Sequence, residues 1–343
     1  MYFWDGLLGP VSGTPDSYIV DRALPLPERA LIERIRRRLG RRSLAVVAGI
    51  GDDCAVLRVR PGHQALVTTD LSLEGIHFRR EWHPPESVGH RCLARGLSDI
   101  AAMGGEPIAV FLSLAVPGKL PQSWVDRFMD GLLRLAASAG VVLAGGDTAE
   151  SPAGVLADIV VVGSVAGGKG ILRSGARPGD RIHVTGELGG AAAALSLFSK
   201  RRKRIPPKDY PQHFFPMPRL EAGRILSGQR LASSMIDISD GLSTDLRRIC
   251  EESGVGAEIE KALIPVARIG RARQPVDVRF ALHGGEDYEL LFTTPAAKRV
   301  PARIGEVPIA EIGCITRGKK ILIRNAHGGL SELSPQGWEH FRT

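Results

Sequence analysis

The chain contains few cysteines, few aromatic residues and no long apolar run. Of its 343 residues, 4 are cysteine and 5% are aromatic. The cysteines stand far apart with no Cys-x-x-Cys pair, which argues against a zinc site and fits reduced thiols in the cytosol. No segment supplies the ~20 consecutive apolar residues that span a bilayer, and the first residues lack the basic start of a secretory signal. We therefore expect a cytoplasmic protein without a membrane partner.

Composition and charge indicate a globular protein of about two domains. Hydrophobic residues make up 43% of the 343 residues and charged residues 24%. The 45 basic and 37 acidic residues give a net charge of +8, with basic runs at residues 34–42 and 200–204. Because no aromatic residues alternate with these basic side chains, we interpret the runs as solvated surface and expect no nucleic-acid partner.

The first half of the chain alternates predicted strands and helices. Apolar periodicity and Gly-Gly stops predict short connections and a mixed α/β pattern. The predicted helices are residues 28–39, 87–103 and 122–139, and the predicted strands are residues 53–59, 65–70, 108–116, 141–144 and 155–165.

A segment rich in turn formers separates the two halves. Residues 167–180 combine many glycines with few apolar residues, so we place the domain boundary there. The predicted units are an N-terminal extension at residues 1–26, an N-terminal α/β domain at 27–166 and a C-terminal α/β domain at 167–343. In the last unit we expect strands at residues 181–185, 257–260, 288–293 and 320–324, an alanine-rich helix after Gly190, and a helix with Leu242, Leu246 and Ile249 on one face.

Carboxylates recur at predicted strand ends and turns, beside glycine or hydroxyl residues. Hard divalent cations prefer this mixture of oxygens, and magnesium commonly takes one or two carboxylates together with substrate phosphate. Each segment alone is weak, because Asp and Gly are ordinary turn residues. The segments are Gly49-Ile-Gly-Asp-Asp53, Thr68-Thr-Asp70, Ser98-Asp99, Gly145-Gly-Asp147, Asp237-Ile-Ser-Asp240 and Gly284-Gly-Glu286.

Local structure explains some of these acids better than others. Asp240 precedes Gly-Leu-Ser-Thr and fits the cap of the following helix. Asp237 lies in an apolar strand, where an ionised carboxylate is costly without a compensating cation. Asp99 falls in the last turn of its helix, where the macrodipole disfavours negative charge. Arg95, one turn earlier, is a candidate ion-pair partner for Asp99, and a bound cation is the stronger alternative.

The sequence contains no standard nucleotide-binding signature. Residues 163–170 approach the P-loop pattern, but Gly170 replaces the Ser or Thr whose hydroxyl should reach magnesium. The strand predicted there is followed by no helix, and no Gly-x-Gly-x-x-Gly fingerprint is present. A nucleotide would therefore bind through another arrangement.

Seven motifs, in order over nearly the whole chain from about residue 28, resemble those of thiamine-monophosphate kinases. Together they are far more specific than any one of them. They are Gly49-Ile-Gly-Asp-Asp-Cys-Ala-Val-Leu57, Thr68-Thr-Asp-Leu71 with Glu74-Gly-Ile-His-Phe78, Leu97-Ser-Asp-Ile-Ala-Ala-Met-Gly104, Gly145-Gly-Asp-Thr148, Arg173-Ser-Gly-Ala-Arg-Pro-Gly-Asp180, Ile236-Asp-Ile-Ser-Asp-Gly-Leu242 and Gly284-Gly-Glu-Asp-Tyr-Glu-Leu290.

The resemblance implies a fold, an activity and a set of site residues. The fold is the two-domain PurM-like architecture of the aminoimidazole ribonucleotide (AIR) synthetase-like superfamily, with an N-terminal α/β domain that forms the sheet or barrel of a homodimer. The activity is transfer of the γ-phosphoryl group of ATP to thiamine monophosphate, assisted by several Mg²⁺ ions. The implied metal ligands are Asp53, Thr68, Thr69, Asp70, Asp99, Asp147, Asp237 and Asp240, of which Asp53, Asp70, Asp99, Asp237 and Asp240 are the implied catalytic residues. The implied nucleotide contacts are Gly146, Asp147, Arg173 and Ser239, and the implied substrate contacts are His77, Glu286 and Trp338.

This activity needs little covalent chemistry from the protein. The acceptor is already a phosphate oxyanion at neutral pH, so no side chain must remove a proton, unlike in phosphorylation of a hydroxyl. Catalysis then consists of in-line positioning and neutralisation of charge on the transferred group. We therefore expect the dispersed aspartates to gather from both domains around magnesium.

The chain also departs from the family pattern. Gly96 stands where an Asn usually precedes Leu-Ser-Asp, and Ala149-Glu150 replace a common Thr-Arg, which removes a positive charge beside the expected phosphate site. Two alternatives remain: another ATP-dependent enzyme of the superfamily, of the hydrogenase-maturation or selenophosphate-synthetase kind, or a non-catalytic nucleotide- or nucleic-acid-binding protein. No cysteine precedes Cys54, as a selenophosphate synthetase would need, and Glu74-Gly-Ile-His-Phe78 favours the thiamine branch.

Overall fold

The computed structural model describes residues 25–39, 43–51, 53–201 and 205–338. Most of the predicted N-terminal extension, residues 1–24, lies outside the described residues, as do residues 40–42 and 202–204 of the two basic runs. Among the described residues, no helix combines the length and apolarity needed to cross a membrane.

The first half of the chain builds a four-stranded sheet covered by helices. The strand order is β3-β6-β4-β5, with β4 and β5 parallel and the other neighbouring pairs antiparallel. β1 and β2 form a separate antiparallel pair. The elements are α1 (Glu28–Arg38), β1 (Val46–Ala48), β2 (Val56–Leu57), β3 (His63–Leu73), α2 (Pro85–Ala102), β4 (Glu106–Pro117), α3 (Gln122–Ser138), β5 (Val142–Ser151) and β6 (Leu156–Ala166).

The second half builds an eight-stranded sheet. Its main path runs β16-β15-β9-β14-β7-β12-β8, and β13 pairs with β14. The helices are α4 (Gly190–Arg201), α5 (Pro211–Phe214), α6 (Leu220–Gly228), α7 (Leu242–Ser253) and α8 (Val278–His283), with 3₁₀ turns at Pro207–Asp209 and Lys261–Leu263. The strands are β7 (Arg181–Thr185), β8 (Ser234–Asp237), β9 (Gly256–Glu260), β10 (Arg268–Ile269), β11 (Gln274–Pro275), β12 (Leu290–Thr294), β13 (Arg303–Ile304), β14 (Val307–Thr316), β15 (Ile321–Arg324) and β16 (Leu330–Glu332).

The predicted mixed α/β architecture is confirmed, with differences at particular strands. The strand predicted at residues 53–59 is reduced to Val56–Leu57. β5 was expected to end at Ala144 but continues through the Gly-Gly pair to Ser151, because β4 supplies a parallel partner as far as Pro117. Strand β14 is not among the predicted strands, because Pro308 and Gly313 interrupt the usual strand pattern.

Helix α2 lies between the two halves and is buried on nearly every side. Of its 18 residues, 15 are buried, so it has no broad solvated face of the kind a surface helix has. It contacts α3 and the four-stranded sheet in one direction and α6 and β8 in the other. An apolar cluster that includes Ala101 and Ala102 of α2, Leu226 of α6 and Phe292 of β12 joins the halves. Side chains on α2 are thereby held at fixed positions relative to both sheets.

The contact between α2 and α6 predicts that Gly223→Ala destabilises the protein. A Cβ atom at Gly223 would lie 2.0 Å from the carbonyl oxygen of Ala101, so the helices must move apart. Overpacking of this kind costs about 1–3 kcal/mol in the free energy of unfolding, which urea denaturation measures.

Gly228→Ala is the matched control, because it ends the same helix and its Cβ would meet no atom within 4 Å. There alanine should leave the free energy of unfolding unchanged or raise it by up to about 1 kcal/mol. Equal effects at both positions would contradict the close packing of α2 on α6.

Candidate active site

A cavity of about 740 Å³ lies between the two halves. Side chains from the end of β3, from α2 and from the loop after β3 form one wall, and the ends of β8 and α8 with the loop before β12 form the other. Of the predicted site residues, the cavity brings together Asp70, His77, Asp99, Asp237, Ser239, Asp240, Glu286 and Trp338.

Three aspartates, Asp70, Asp99 and Asp237, meet at one end of this cavity. Asp237 accepts a 2.7 Å hydrogen bond from the Ser98 hydroxyl, and Asp99 accepts one from Thr68. Burial and the nearby Asp99 charge raise the pKa of Asp70 to about 7. Burial also raises the pKa of Asp99, and burial together with Asp99 raises that of Asp237 well above its usual value. The Asp99 charge therefore makes ionisation of Asp70 and of Asp237 harder.

This donor set fits magnesium shared with a phosphorylated ligand. Among the described residues, no three His, Cys, Asp or Glu side chains are arranged to hold a metal ion without further ligands. Magnesium, however, commonly uses one or two protein carboxylates and completes its shell with phosphate oxygens and water. Coupled carboxylates with raised pKa values are the groups that such a cation would stabilise.

Asp240 does not cap the following helix, so that interpretation of its role was wrong. Gly241 occupies the N-cap position of α7. The Asp245 carboxylate reaches back instead and accepts from the backbone N–H groups of Asp240 and Gly241, both at 3.1 Å. Arg248 pairs with Asp240 at 2.6 Å and with Asp245 at 2.9 Å. The Asp240 side chain is left at the cavity wall with one cationic neighbour.

Glu286 lies at the other end of the site, between two arginines of α2. Arg91 and Arg95 both donate to the same oxygen, Oε1, and the Arg95 distance is 2.9 Å. The Glu286 pKa is held well below its usual value by Arg91 and Arg95, against the effect of burial, so the carboxylate stays ionised. Arg95 was the candidate partner of Asp99, but its ion pair is with Glu286, across the interface between the halves.

The loop that carries Glu286 holds an unfavourable backbone conformation. Glu286 and Tyr288 have φ values of 70° and 52°, in the left-handed region that favours glycine. A Cβ at Gly285 would lie 2.2 Å from the Ser239 carbonyl oxygen, so this glycine allows the loop to approach the segment after β8. Backbone strain of this kind persists where surrounding contacts fix it and is common at functional sites.

An aromatic wall forms the side of the cavity next to Glu286. Trp82 stacks on Phe198 with a centroid distance of 5.2 Å and an interplanar angle of 8°. The neighbouring His83 ring contacts His213 through Nε2 atoms 2.9 Å apart. Burial lowers the pKa of His83 to about 4 and lowers that of His213 well below its usual value, so both rings are neutral at pH 7.

Three predicted residues lie at a second cavity, of about 490 Å³. Asp53, Gly146 and Asp147 line it together with residues of α1 and β4. Asp70 pairs with Ile159, Ile159 with Leu112, and Leu112 with Gly146, so Asp70 and Gly146 occupy opposite edges of the sheet at the same level. Three strand spacings separate them by roughly 14 Å. Within one chain, these acids do not join the Asp70 cluster.

Three further predicted residues lie outside both cavity linings, namely Thr68, whose hydroxyl donates to Asp99, Thr69 and Arg173. Thr69 points to the other face of β3 and donates to Asp158 at 2.8 Å. Arg173 is exposed, and its positive charge acts on the Asp99 carboxylate.

Sequence reasoning missed several groups that shape the site, including Arg91, Asp245 and the Trp82–Phe198 stack. Arg91, Arg95, Ser98 and Asp99 follow the helical spacing i, i+4, i+7, i+8 in a helix whose residues from Cys92 onward are otherwise apolar. The sequence therefore contains a pattern that predicts this polar face of the helix. The aromatic stack joins residues 116 positions apart (198 − 82 = 116), and no local pattern indicates it.

Comparisons with known proteins match both halves. The family model for the N-terminal domain of AIR synthase related proteins matches residues 51–165, and the model for the C-terminal domain matches residues 177–324. The chain is 37% identical to the thiamine-monophosphate kinase of Escherichia coli K12 over 326 residues, which covers 92% of this chain and 98% of that relative.

Two solved structures are similar over most of their length. The thiamine-monophosphate kinase from Stenotrophomonas maltophilia K279a has a TM-score of 0.75 and 34% identity, covering 86% of this chain and 95% of its own. AaThiL complexed with AMPPCP and TMP has a TM-score of 0.72 and 30% identity, covering 91% of this chain and 96% of its own.

The double arginine contact predicts that Glu286→Gln strongly destabilises the protein. Glutamine keeps the shape of the side chain but leaves Arg91 and Arg95, whose side chains are only 4% and 11% exposed, without their carboxylate. Removing one partner of a buried ion pair costs about 3–5 kcal/mol in the free energy of unfolding, measured by urea denaturation.

Glu33→Gln is the matched control, because Glu33 pairs with Arg37 on the exposed surface of α1. That loss should be at most about 0.5 kcal/mol. If both variants lost the same small amount, Glu286 would not be compensating buried charge.

Proposed function

The chain belongs to the thiamine-monophosphate kinase family, and we propose that it transfers the γ-phosphoryl group of ATP to thiamine monophosphate. The products are thiamine diphosphate and ADP. The observation that supports this most directly is the cavity itself, which has a coupled carboxylate cluster at one end and an ionised Glu286 beside aromatic rings at the other. Such a site suits a ligand with a phosphate at one end and an aromatic ring system that carries a hydrogen-bond donor at the other.

The reaction exchanges one phosphorus–oxygen bond for another. A phosphate oxygen of thiamine monophosphate forms a bond to the γ-phosphorus of ATP, and the bond from that phosphorus to the β,γ-bridging oxygen breaks. The electron pair leaves with ADP, and the protein needs to remove no proton from the acceptor. What it must supply is in-line alignment of two polyanions that repel each other.

Asp70, Asp99, Asp237 and Asp240 would hold the magnesium ions at this site, with Thr68 as a further oxygen donor. Bound Mg²⁺ would neutralise charge on the phosphate oxygens of donor and acceptor. The protein's part is to fix the carboxylates before the ligands arrive: Ser98 orients Asp237, Thr68 orients Asp99, and Arg248 orients Asp240.

Glu286, His77 and Trp338 form the proposed thiamine side. Both arginine bonds end on Oε1 of Glu286, so Oε2 remains to accept a hydrogen bond, such as that of the pyrimidine amino group. The low pKa keeps this carboxylate an acceptor at every physiological pH. His77 closes the turn after β3, where its Nδ1 accepts from the Leu73 N–H at 3.0 Å.

The nucleotide side is proposed to involve Ser239 and Arg173 near the carboxylate cluster and Asp53, Gly146 and Asp147 at the second cavity. Gly146 has a φ of 146°, and a Cβ there would lie 1.9 Å from the Leu112 carbonyl oxygen, so only glycine fits. Ala149 and Glu150, which replace the family's Thr-Arg, are both exposed near this cavity. The proposed phosphate contacts at the second cavity therefore depend on backbone amides.

A homodimer in the cytoplasm is also proposed, formed through the open face of the four-stranded sheet. Val67 and Leu71 alternate along β3 with side chains that are 69% and 48% exposed. Monomeric proteins rarely leave adjacent apolar side chains uncovered on a sheet. Sedimentation should show a dimer at micromolar concentration, and a monomer would contradict this use of the sheet.

The activity is tested by incubating the purified protein with Mg²⁺, ATP and thiamine monophosphate. Thiamine diphosphate and ADP should appear in equal amounts, and thiamine without its phosphate should give no product. In Asp237→Asn we expect turnover to fall roughly 10²-fold or more, because a preorganised charge at the reacting phosphates is lost. The free energy of unfolding should stay the same or rise, because the substitution removes repulsion from Asp99 while the Ser98 hydrogen bond remains possible.

Asp130→Asn is the control for this substitution, since Asp130 pairs with Arg38 at the surface of α3. It should leave turnover unchanged. Wild-type protein that consumes neither substrate would refute the proposed function, and an active Asp237→Asn variant would refute the assignment of the carboxylates.

A further inference from the structure

The charges around Glu286 leave the cationic ring of the proposed substrate without a carboxylate. Arg91 and Arg95 place two positive charges against one carboxylate, so this corner carries a net positive charge. The other acids of the cavity lining, Asp70, Asp99, Asp237 and Asp240, lie at the phosphate end. A thiazolium ring near Glu286 therefore needs a different partner, and the face of an aromatic ring is one.

Four aromatic residues other than histidine line the cavity, and their exposure differs. Phe78 and Tyr288 are 4% and 3% exposed, so their faces are covered by protein. Trp338 is 54% exposed at the rim, where water weakens a cation–π contact. Trp82 is half-buried and lies in the wall beside His83. Trp82 therefore has the aromatic ring that binds cations most strongly, the indole, in a position partly shielded from water.

The structure already holds a cation against this ring. The Arg79 guanidinium lies 5.1 Å from the Trp82 ring centroid, while Phe198 stacks on Trp82 at 5.2 Å. The Trp82 ring therefore contacts a guanidinium and a stacked aromatic ring at the same time. Arg79 is exposed and forms no ion pair with any acid among the described residues. Its neighbour Arg80, in contrast, pairs with Glu74.

We propose that Trp82 is the platform for the thiazolium ring of the substrate, and that Arg79 covers this platform until the ring displaces it. The proposal rests on the proposed function, because it assumes that thiamine monophosphate is the ligand. Phe198 stacks parallel to the indole ring of Trp82 and fixes its plane. The neutral His83–His213 pair holds the loop that carries Trp82 against the C-terminal half. Arg79 then acts as a gate on substrate affinity, and Trp82 as a specificity-determining residue for a cationic heteroaromatic ligand.

The test is binding of thiamine monophosphate without ATP, measured by calorimetry on the full chain. In Trp82→Leu, which keeps apolar volume but loses the π face, the dissociation constant should rise about tenfold, and in Trp82→Phe it should rise less. In Arg79→Ala the constant should fall about two- to fivefold, because no side chain must be displaced. The Michaelis constant for ATP should stay within twofold in all three variants. Circular dichroism and thermal unfolding confirm that each variant is folded.

Trp124→Leu is the matched control, because Trp124 also stacks on a phenylalanine, Phe128 at 5.7 Å, but lies on α3 outside the cavity lining. It should leave thiamine monophosphate binding unchanged. Unchanged binding in Trp82→Leu would overturn the platform. A weaker complex in Arg79→Ala would show that Arg79 holds the ligand's phosphate, which would overturn the gate. If wild-type protein binds thiamine monophosphate but forms no thiamine diphosphate, the proposed function fails while the Trp82 result still decides this inference.

Discussion

The balance of buried charge along one face of α2 determines how the two halves meet. Arg91, Arg95, Ser98 and Asp99 face the C-terminal half, and that half supplies Glu286 for the arginines and Asp237 for the serine. A buried ion pair is stable only at short distance. Moving the two partners apart leaves each buried charge without compensation for its lost hydration. The two sheets are therefore held at the spacing that leaves a cavity between them. The apolar contact of α2 with α6 holds the far end of the same interface.

Part of this arrangement follows from the sequence, and part depends on which segments become neighbours. The apolar periodicity of residues 85–102 predicts the helix, and the last-turn position of Asp99 indicates that something must compensate it. The nearest candidate in sequence, Arg95, was the wrong partner, because a carboxylate 191 residues away competes for it. Local ion pairs on a helix contribute only a few tenths of a kcal/mol, so a buried long-range partner outweighs them. Asp240 does not cap its helix either, since Gly241 is the N-cap residue and the Asp240 carboxylate pairs with Arg248.

The arrangement of the sheet decides which predicted acids can act together. Thr68-Thr-Asp70 and Gly145-Gly-Asp147 resemble each other as strand-end motifs, and their spacing in sequence does not reveal their separation in space. The order β3-β6-β4-β5 places them on opposite edges. Strand order depends on long-range pairing, which residue patterns within a strand do not encode. The sequence thus indicates which side chains are candidates, and the tertiary structure determines which of them lie together.

The two ends of the cavity also determine how a ligand of mixed charge is oriented. Thiamine monophosphate carries a negative phosphate and a positive thiazolium ring, and the carboxylate cluster alone would attract the ring rather than the phosphate. A divalent cation bound there would make the net charge of that end positive, and the phosphate would then be the favoured group. At the other end, the net positive charge of Glu286 with its two arginines repels the ring, so an uncharged aromatic face is the surface that accepts it. In the proposed reaction, productive orientation would therefore require a divalent cation at the aspartates, and their raised pKa values show that uncompensated negative charge is unfavourable at this end.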